Sequence, residues 1–241
     1  MARITINSAL EKKLCTSNDF LTALASDESA VISFVNPFSY ALIANRNDLI
    51  KDVKFWFVDG QALCFLTNIK RENKLLRASF DFSSVAEQFF SYATETEKRV
   101  AIVGATTNEV DKAQINLQIR YPDLKLRYYR DGYIKRDAFS EVLIELDKNK
   151  CELLIVGMGT PIQEDFAIYC LQNSKFIKKA VTCGGFITQT AIKGDYYHPL
   201  IKKLGLRWLQ RAYLHKHVRD RLFRVYPKFI FSYLLDIIRK K

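Results

Sequence analysis

Residues 151–165, CELLIVGMGTPIQED, constrain the fold of this chain more than any other stretch. Leu153 to Val156 form a continuous apolar run that stops at Gly157, the pattern of a parallel strand buried on both faces. Gly159, Thr160 and Pro161 interrupt it. Gln163-Glu164 then open a segment whose apolar residues Phe166, Ala167, Cys170 and Leu171 have helical spacing. Strand, glycine turn and helix in that order put a helix N-terminus at the carboxyl end of a strand, where parallel sheets collect ligands and free N–H groups attract anions. A Gly-x-Gly pair is equally common as a plain tight connection, so on its own it does not separate the two readings.

The same alternation runs through most of the chain. Apolar runs at Ala30–Val35, Phe55–Val58, Arg99–Val103, Leu124–Tyr129 and Ala180–Cys183 read as further strands. They end in turn at Asn36-Pro37, Asp59-Gly60, Gly104, Asp131-Gly132 and Gly184-Gly185. Between them Tyr40–Leu49, Ala62–Leu66, Val85–Ala93, Asn108–Arg120 and Ala138–Asn149 have helical spacing, and residues 1–28 hold one or two short helices. This alternation predicts a Rossmann-like α/β domain, a mainly parallel sheet of about six strands with helices on both faces.

Charge divides the chain. Residues 202–241 carry twelve Lys/Arg against Asp220 and Asp236, and so hold +10 of the total net charge of +11. The expected organisation is an α/β domain over residues 1–200 and a basic, aromatic-rich helical appendage over residues 201–241. Such a segment suits an anionic surface, either phospholipid or nucleic acid. The five cysteines contain no C-x-x-C pair and mostly sit in apolar segments, as thiols do in a reducing cytoplasm. The first residues lack a signal-peptide core, and no stretch approaches the about 18 apolar residues of a membrane span. The expectation is a cytoplasmic protein, attached to a membrane only at its surface.

Several polar residues stand where strands stop. Asp59 follows FWFV, and a carboxylate there is placed to act as a general base, although Asp-Gly is also a sufficient turn. Asn36 and Gln163 are amides beyond strand ends, able to bind a sugar or base or to cap a helix. Arg77 is able to hold a phosphate with its planar fork, or to pair with Asp81. The glycines at 157 and 159 lack the third glycine of a dinucleotide fingerprint, Ile162 standing in its place. There is no G-x-x-x-x-G-K-[ST], the three histidines have no metal-ligand companions, and no D-x-D occurs.

Taken in order, Asn36-Pro37, Val58-Asp59-Gly60, Arg77-x-Ser79, Val103-Gly104, Tyr121-Pro122, Asp131-Gly132-Tyr133, Gly157-Met158-Gly159-x-Pro161-x-Gln163-Glu164, Gly184-Gly185-Phe186 and Gly205-Leu206-x-Trp208-Leu209-x-Arg211 resemble the WecG/TagA/CpsF family of bacterial glycosyltransferases, glycosyltransferase family 26. The resemblance spans residues 30–225 and departs from the family pattern at Phe34, Phe80, Ile187–Gln189 and Tyr197–Pro199. It implies an inverting transferase, without metal or other cofactor, that moves a sugar from a nucleotide-diphosphate donor, a UDP-sugar, to a polyprenol-diphosphate-linked sugar in cell-surface polysaccharide synthesis. It also implies roles for individual residues. Asp59 matches the catalytic base. Asn36, Arg77 and Gln163 match pocket residues, and Gly104, Gly157, Gly159, Pro161, Glu164 and Gly185 lie in the motifs around them. Arg207, Arg211, Arg219, Arg221 and Arg224, spaced among aromatics, are expected at lipid headgroups or at the substrate diphosphate, and a homo-oligomer is compatible with this reading. The rival readings are a nucleic-acid-binding protein using the basic segment and a non-catalytic assembly partner. The α/β domain with its pocket weighs against nucleic acid.

Overall fold

The computed structural model describes residues 6–192, Tyr213 and residues 219–239; the side chain of Arg221 lies outside that description, as do Arg207 and Arg211. Seven strands form one parallel sheet: β1 (Leu14–Cys15), β2 (Ala30–Val35), β3 (Phe55–Val58), β4 (Val100–Gly104), β5 (Leu126–Arg130), β6 (Leu153–Gly157) and β7 (Lys179–Thr182). Their order across the sheet is β1-β3-β2-β7-β6-β4-β5. The strands expected from apolar runs are all present, and β1 is an addition. It is two residues long, too short for any periodicity to announce, and it extends the sheet beyond β3 through Leu14 opposite Trp56.

Eleven helices are described. They are α1 (Ser8–Lys12), α2 (Phe20–Ala25), α3 (Pro37–Ile43), α4 (Asn47–Asp52), α5 (Gln61–Thr67), α6 (Val85–Glu95), α7 (Thr107–Arg120), α8 (Phe139–Lys148), α9 (Ile162–Asn173), α10 (Phe186–Thr190) and α11 (Tyr226–Arg239). The helix expected over Tyr40–Leu49 is two helices. The Asn7 side chain donates to the carbonyl of Ala44, taking over an orphan acceptor at the end of α3, and Arg46 leaves helical geometry before α4 begins. The strand expected at Leu124–Tyr129 runs from Leu126 to Arg130, because Leu124 is still in the turn after α7, its N–H donating to the carbonyl of Tyr121 at 3.1 Å.

Alternation within each strand builds two cores. Val31, Trp56, Val58, Val103, Leu154 and Val156 face one side, covered by α3, α4, α5, α8, α9 and α11. Ile32, Phe57, Ile102, Ile155 and Val181 face the other, covered by α2, α6, α7 and α10. The chain leaves β4 through α7 toward β5 at the edge, but leaves β6 through α9 toward β7 in the opposite direction. Between β4 and β6 the connections therefore diverge on opposite faces, the arrangement that opens a crevice at the carboxyl ends of a doubly wound sheet.

The last helix reaches back into the first core. Phe229 is fully buried and meets the Tyr40 ring at 5.4 Å, edge to face, with Tyr233 at 6.1 Å from the same ring. The hydroxyls of Tyr40 and Tyr233 both donate to Glu11 Oε1 at 2.9 Å, and Arg71 donates to Glu11 Oε2 at 3.2 Å. Burial first, and then the Glu11 carboxylate, push both phenols above their ordinary pKa. The Ile6 N–H closes the contact by donating to Asp236 at 2.8 Å.

Phe229→Ala should destabilise the whole protein by about 3–5 kcal/mol, the range for truncating a buried aromatic. A denaturant midpoint measured by tryptophan fluorescence checks this; an unchanged midpoint would make α11 a detachable arm.

Candidate active site

Two groups of residues converge at the carboxyl edge of the sheet. In the first, the N–H of Asp59 donates to the carbonyl of Val35 at 2.7 Å, extending the β2/β3 ladder by one bond and fixing the backbone of this residue. Gly60 then turns the chain with φ +87°, a conformation costly for any residue with a Cβ, and α5 starts at Gln61. Asp-Gly is thus a turn and, at the same time, a rigid mount for a carboxylate. Arg77 approaches because Ala78 N–H donates to the carbonyl of Val58 at 2.9 Å. Its guanidinium bridges Asp59 Oδ1 at 3.2 Å and Asp81 Oδ2 at 3.4 Å. Burial alone would lower the Arg77 pKa, and the two carboxylates more than offset it, so the net shift is upward. Asp81 is held in turn by the N–H of Ser83 at 2.9 Å. Among the described residues Asp59 Oδ2 has no partner.

Register sets Val35 opposite Val58, which brings Asn36 beside Asp59. The Asn36 side chain is the N-cap of α3, its Oδ1 accepting from Phe38 N–H at 3.0 Å and Ser39 N–H at 3.1 Å, ahead of Pro37 in the first turn. Its Nδ2 takes no part in the cap.

The second group lies at the β4/β6 crevice. A Cβ on Gly104 would meet the Gly157 carbonyl oxygen at 2.6 Å, and one on Gly132 would meet Gly104 Cα at 2.7 Å. Only glycine permits this approach. The result is a cleft of about 420 Å³ lined by Ala105, Tyr133, Lys135, Gly157, Met158 and Ile162. The helices on its two sides differ. The N-terminus of α7 is filled by its own capping box, Thr106 with Glu109, so an anion there would meet a carboxylate. Pro161 starts α9 with no side-chain cap, and Gly159 precedes it at φ +82°; of the two carboxylates in its first turn, Glu164 is turned into a buried network and Asp165 is paired with Arg46 and Arg136. Gly185 begins α10 beside Gly184, at the end of β7.

A buried polar network joins the groups. Glu164, fully enclosed, accepts at Oε1 from Ser33 Oγ and Gln163 Nε2, both at 2.8 Å, and from Thr160 Oγ1 at 3.2 Å. Ser33 and Thr182 hydroxyls meet at 2.9 Å, so the network ties α9 to β2 and β7. Gln163 is only 4 % exposed, and its Oε1 and Glu164 Oε2 are buried without hydrogen-bond partners among the described residues. Gln163 and Glu164 therefore sit beneath the surface of the site rather than on it. Sequence reasoning passed over Ser33 and Thr182, although a hydroxyl inside an otherwise apolar strand was the visible signal. Tyr133, Lys135 and Met158 were also missed as cleft residues, their proximity being a product of topology. Among the described residues no three His, Cys, Asp or Glu side chains converge as a metal site.

Burial raises the Glu164 pKa, the hydrogen bonds from Gln163, Ser33 and Thr160 acting the other way. The folded protein holds this proton more tightly than an unfolded chain, where Glu titrates near about 4.3. Stability from neutral Glu164 is full below that value and is lost as pH rises through the folded pKa. Glu164→Gln should therefore gain on wild type as pH is raised from about 5 to about 8, read by denaturant midpoints across that range. A difference independent of pH would show that the carboxyl carries no such penalty.

The chain matches the glycosyl transferase WecG/TagA/CpsF family across residues 6–241. It is 36% identical over 214 residues, 88% of this chain and 89% of the relative, to the UDP-Gal:alpha-D-GlcNAc-diphosphoundecaprenol beta-1,4-galactosyltransferase of Shigella boydii. N-acetylglucosaminyldiphosphoundecaprenol N-acetyl-beta-D-mannosaminyltransferases are more distant. That of Bacillus subtilis (strain 168) is 24% identical over 88% of this chain and 82% of its own length, and that of Staphylococcus aureus (strain MRSA252) is 28% identical over 83% and 70%. With a match over nearly its whole length, a parallel α/β sheet and polar residues gathered at the carboxyl edge, the chain belongs to the WecG/TagA/CpsF family of glycosyltransferases.

Proposed function

We propose that this glycosyltransferase moves galactose from UDP-galactose to the sugar of GlcNAc-diphosphoundecaprenol, with inversion and without a metal, at the surface of an anionic membrane. The observation that carries the choice of sugar is the 36% identity to the galactosyltransferase, against 24% and 28% for the two mannosaminyltransferases. The two groups at the sheet edge fit a donor of this shape. From β2/β3 to β4/β6 is three strand spacings, about 14 Å at roughly 4.8 Å each, a span that an extended nucleoside-diphosphate sugar covers. In this reading the nucleoside occupies the β4/β6 cleft and the transferred sugar lies near Asp59.

The chemistry then follows from the residues. Asp59 Oδ2 takes the proton from the acceptor hydroxyl as that oxygen bonds to the anomeric carbon. The bond between that carbon and the diphosphate breaks, and its electron pair leaves with UDP. Arg77 holds Oδ1 and so orients the free oxygen. Negative charge building on the diphosphate is met by the uncapped N-terminus of α9 and by arginines of the basic segment. Asn36 Nδ2 is available to a substrate hydroxyl while Oδ1 stays in the cap. Gln163 and Glu164 support the floor beneath. Gly104, Gly157, Gly159, Pro161 and Gly185 supply close backbone.

Arg219 and Arg224 are exposed, in and before a π-helical turn over Arg221–Val225 that packs beside α3. No helix among the described residues is long and apolar enough to cross a membrane. Attachment by surface charge suits this arrangement, each cation near an anionic bilayer contributing about 1 kcal/mol.

Asp59→Asn should lower turnover by about 10²–10⁴-fold, the usual cost of removing a general base, with the melting temperature little changed. Release of UDP in the presence of a short-chain GlcNAc-diphosphate lipid measures it, and turnover above half of wild type would return Asp59 to the role of a turn residue. Replacing Arg219 and Arg224 together by Glu should release the protein from anionic vesicles and depress activity on long-chain acceptor more than on a soluble short-chain one. Equal loss on both acceptors would assign these arginines to the substrate diphosphate.

A further inference from the structure

The helix α11 is apolar on the side that its packing leaves uncovered. Phe229, Tyr233 and Asp236 point into the protein, yet Phe231, Leu234 and Ile238, on the opposite side of the helix, are also apolar. Phe231 and Ile238 are each 65% exposed. Lys228, Ser232 and Arg239 occupy only one flank. A helix with apolar residues on two opposite sides suits a setting buried on both, and among the described residues this one has protein on one side alone. The neighbouring α5 repeats the pattern. Leu63, Cys64, Leu66 and Thr67 are buried, whereas Phe65, 72% exposed, and Ile69, one turn on, face outward. The two helices pack side by side on the same face of the sheet, and Lys70 joins them by donating to the carbonyl of Ile237 at 2.8 Å. Between them lies an apolar notch of about 330 Å³, lined by Ile6, Leu66, Thr67, Lys70 and Ile237 among others.

We propose that Phe65, Ile69, Phe231, Leu234 and Ile238 form one membrane-inserting face, and that α5, inside the catalytic domain, supplies half of it. Its occupant is an anionic phospholipid bilayer. Charge complementarity favours that choice, since Lys70, Lys74, Arg224, Lys228 and Arg239, on the two helices or close to them in sequence, are exposed against the exposed carboxylates Glu72 and Asp220, and Asp236 is turned inward. Apolar side chains entering the acyl boundary, with cations at headgroup level, are the two components of interfacial binding. The inference rests on the membrane reading above and adds what the arginines do not provide, an orientation. Phe65 lies six residues after Asp59, and from Gln61 the helix advances about 1.5 Å per residue, roughly 6 Å in all. The inserted face therefore starts about one helical turn from the Asp59-Gly60 corner, within reach of a sugar carried on a diphosphate anchored in that bilayer.

The test uses the full chain and vesicles of phosphatidylcholine with phosphatidylglycerol, comparing wild type with Phe65→Ser/Ile69→Ser and with Leu234→Ser/Ile238→Ser. All four positions are exposed, and thermal melts confirm folding. Each double variant should partition at least about tenfold more weakly, a loss of about 1.4 kcal/mol, while UDP release with a soluble short-chain acceptor stays within about twofold of wild type. Wild-type partitioning by Phe65→Ser/Ile69→Ser overturns the proposal. So does a wild-type dimer that this variant dissociates without loss of vesicle binding, which would make the patch a contact between copies. Binding lost only on changing Arg219 and Arg224 refutes this inference and leaves the charge-based reading standing. No vesicle binding by wild type refutes both.

Discussion

A single buried carboxyl oxygen reinforces the join between the two halves of this protein, alongside the backbone ladder that pairs β2 with β7. Glu164 Oε1 gathers donors from the turn before α9, from α9 itself and from β2, and Ser33 passes the connection to Thr182 on β7. The β2/β7 pairing is the seam between the strands that run outward to β1 and those that run outward to β5. Apolar contacts across such a seam are tolerant of small slips, whereas a buried acceptor with three donors is satisfied in one geometry. The network thus links the glycine turn, through Thr160, to β2, the strand whose Val35 carbonyl accepts the Asp59 N–H.

The sequence disclosed the parallel sheet because its central strands are short, mainly apolar and closed by glycine or Asn-Pro, a pattern with few other meanings. It concealed β1, whose two residues carry no period, and the break between α3 and α4, which depends on a hydrogen bond from Asn7. At the site, residues immediately after strands were visible because position alone marks them. Asp59, Asn36 and Arg77 do come together, and Asn36 is the cap of α3 through Oδ1, which leaves its Nδ2 outside the cap. Gln163 and Glu164 illustrate the opposite. In the sequence Gln163 is an amide able to bind a ligand or cap a helix and Glu164 is its motif neighbour, yet α9 enters the core within its first turn, so both side chains are enclosed. No periodicity reports that depth.

The basic segment read as an appendage because charge and aromatics change abruptly near residue 201. In the fold its last helix is also core, sharing Glu11 between Tyr40 and Tyr233. Composition describes what a segment offers to solvent or to a partner; it is silent on how much of the segment returns to the domain. Here one helix does both, with an aromatic side for Tyr40 and an apolar side turned outward.

The β2/β7 seam also has a kinetic meaning. Ser33 and Thr182 are 149 positions apart in the chain, so the two middle strands of the sheet meet only after a very long loop has closed. Closure of this kind is paid in chain entropy before any contact rewards it, and it slows the folding of parallel sheets. The β2–β3 unit and the β4–β6 unit can each assemble from nearer neighbours. Of all the strand pairings in the sheet, that of β2 with β7 closes the longest loop, and it is the pairing that sets the carboxylate of one unit and the crevice of the other along a single edge.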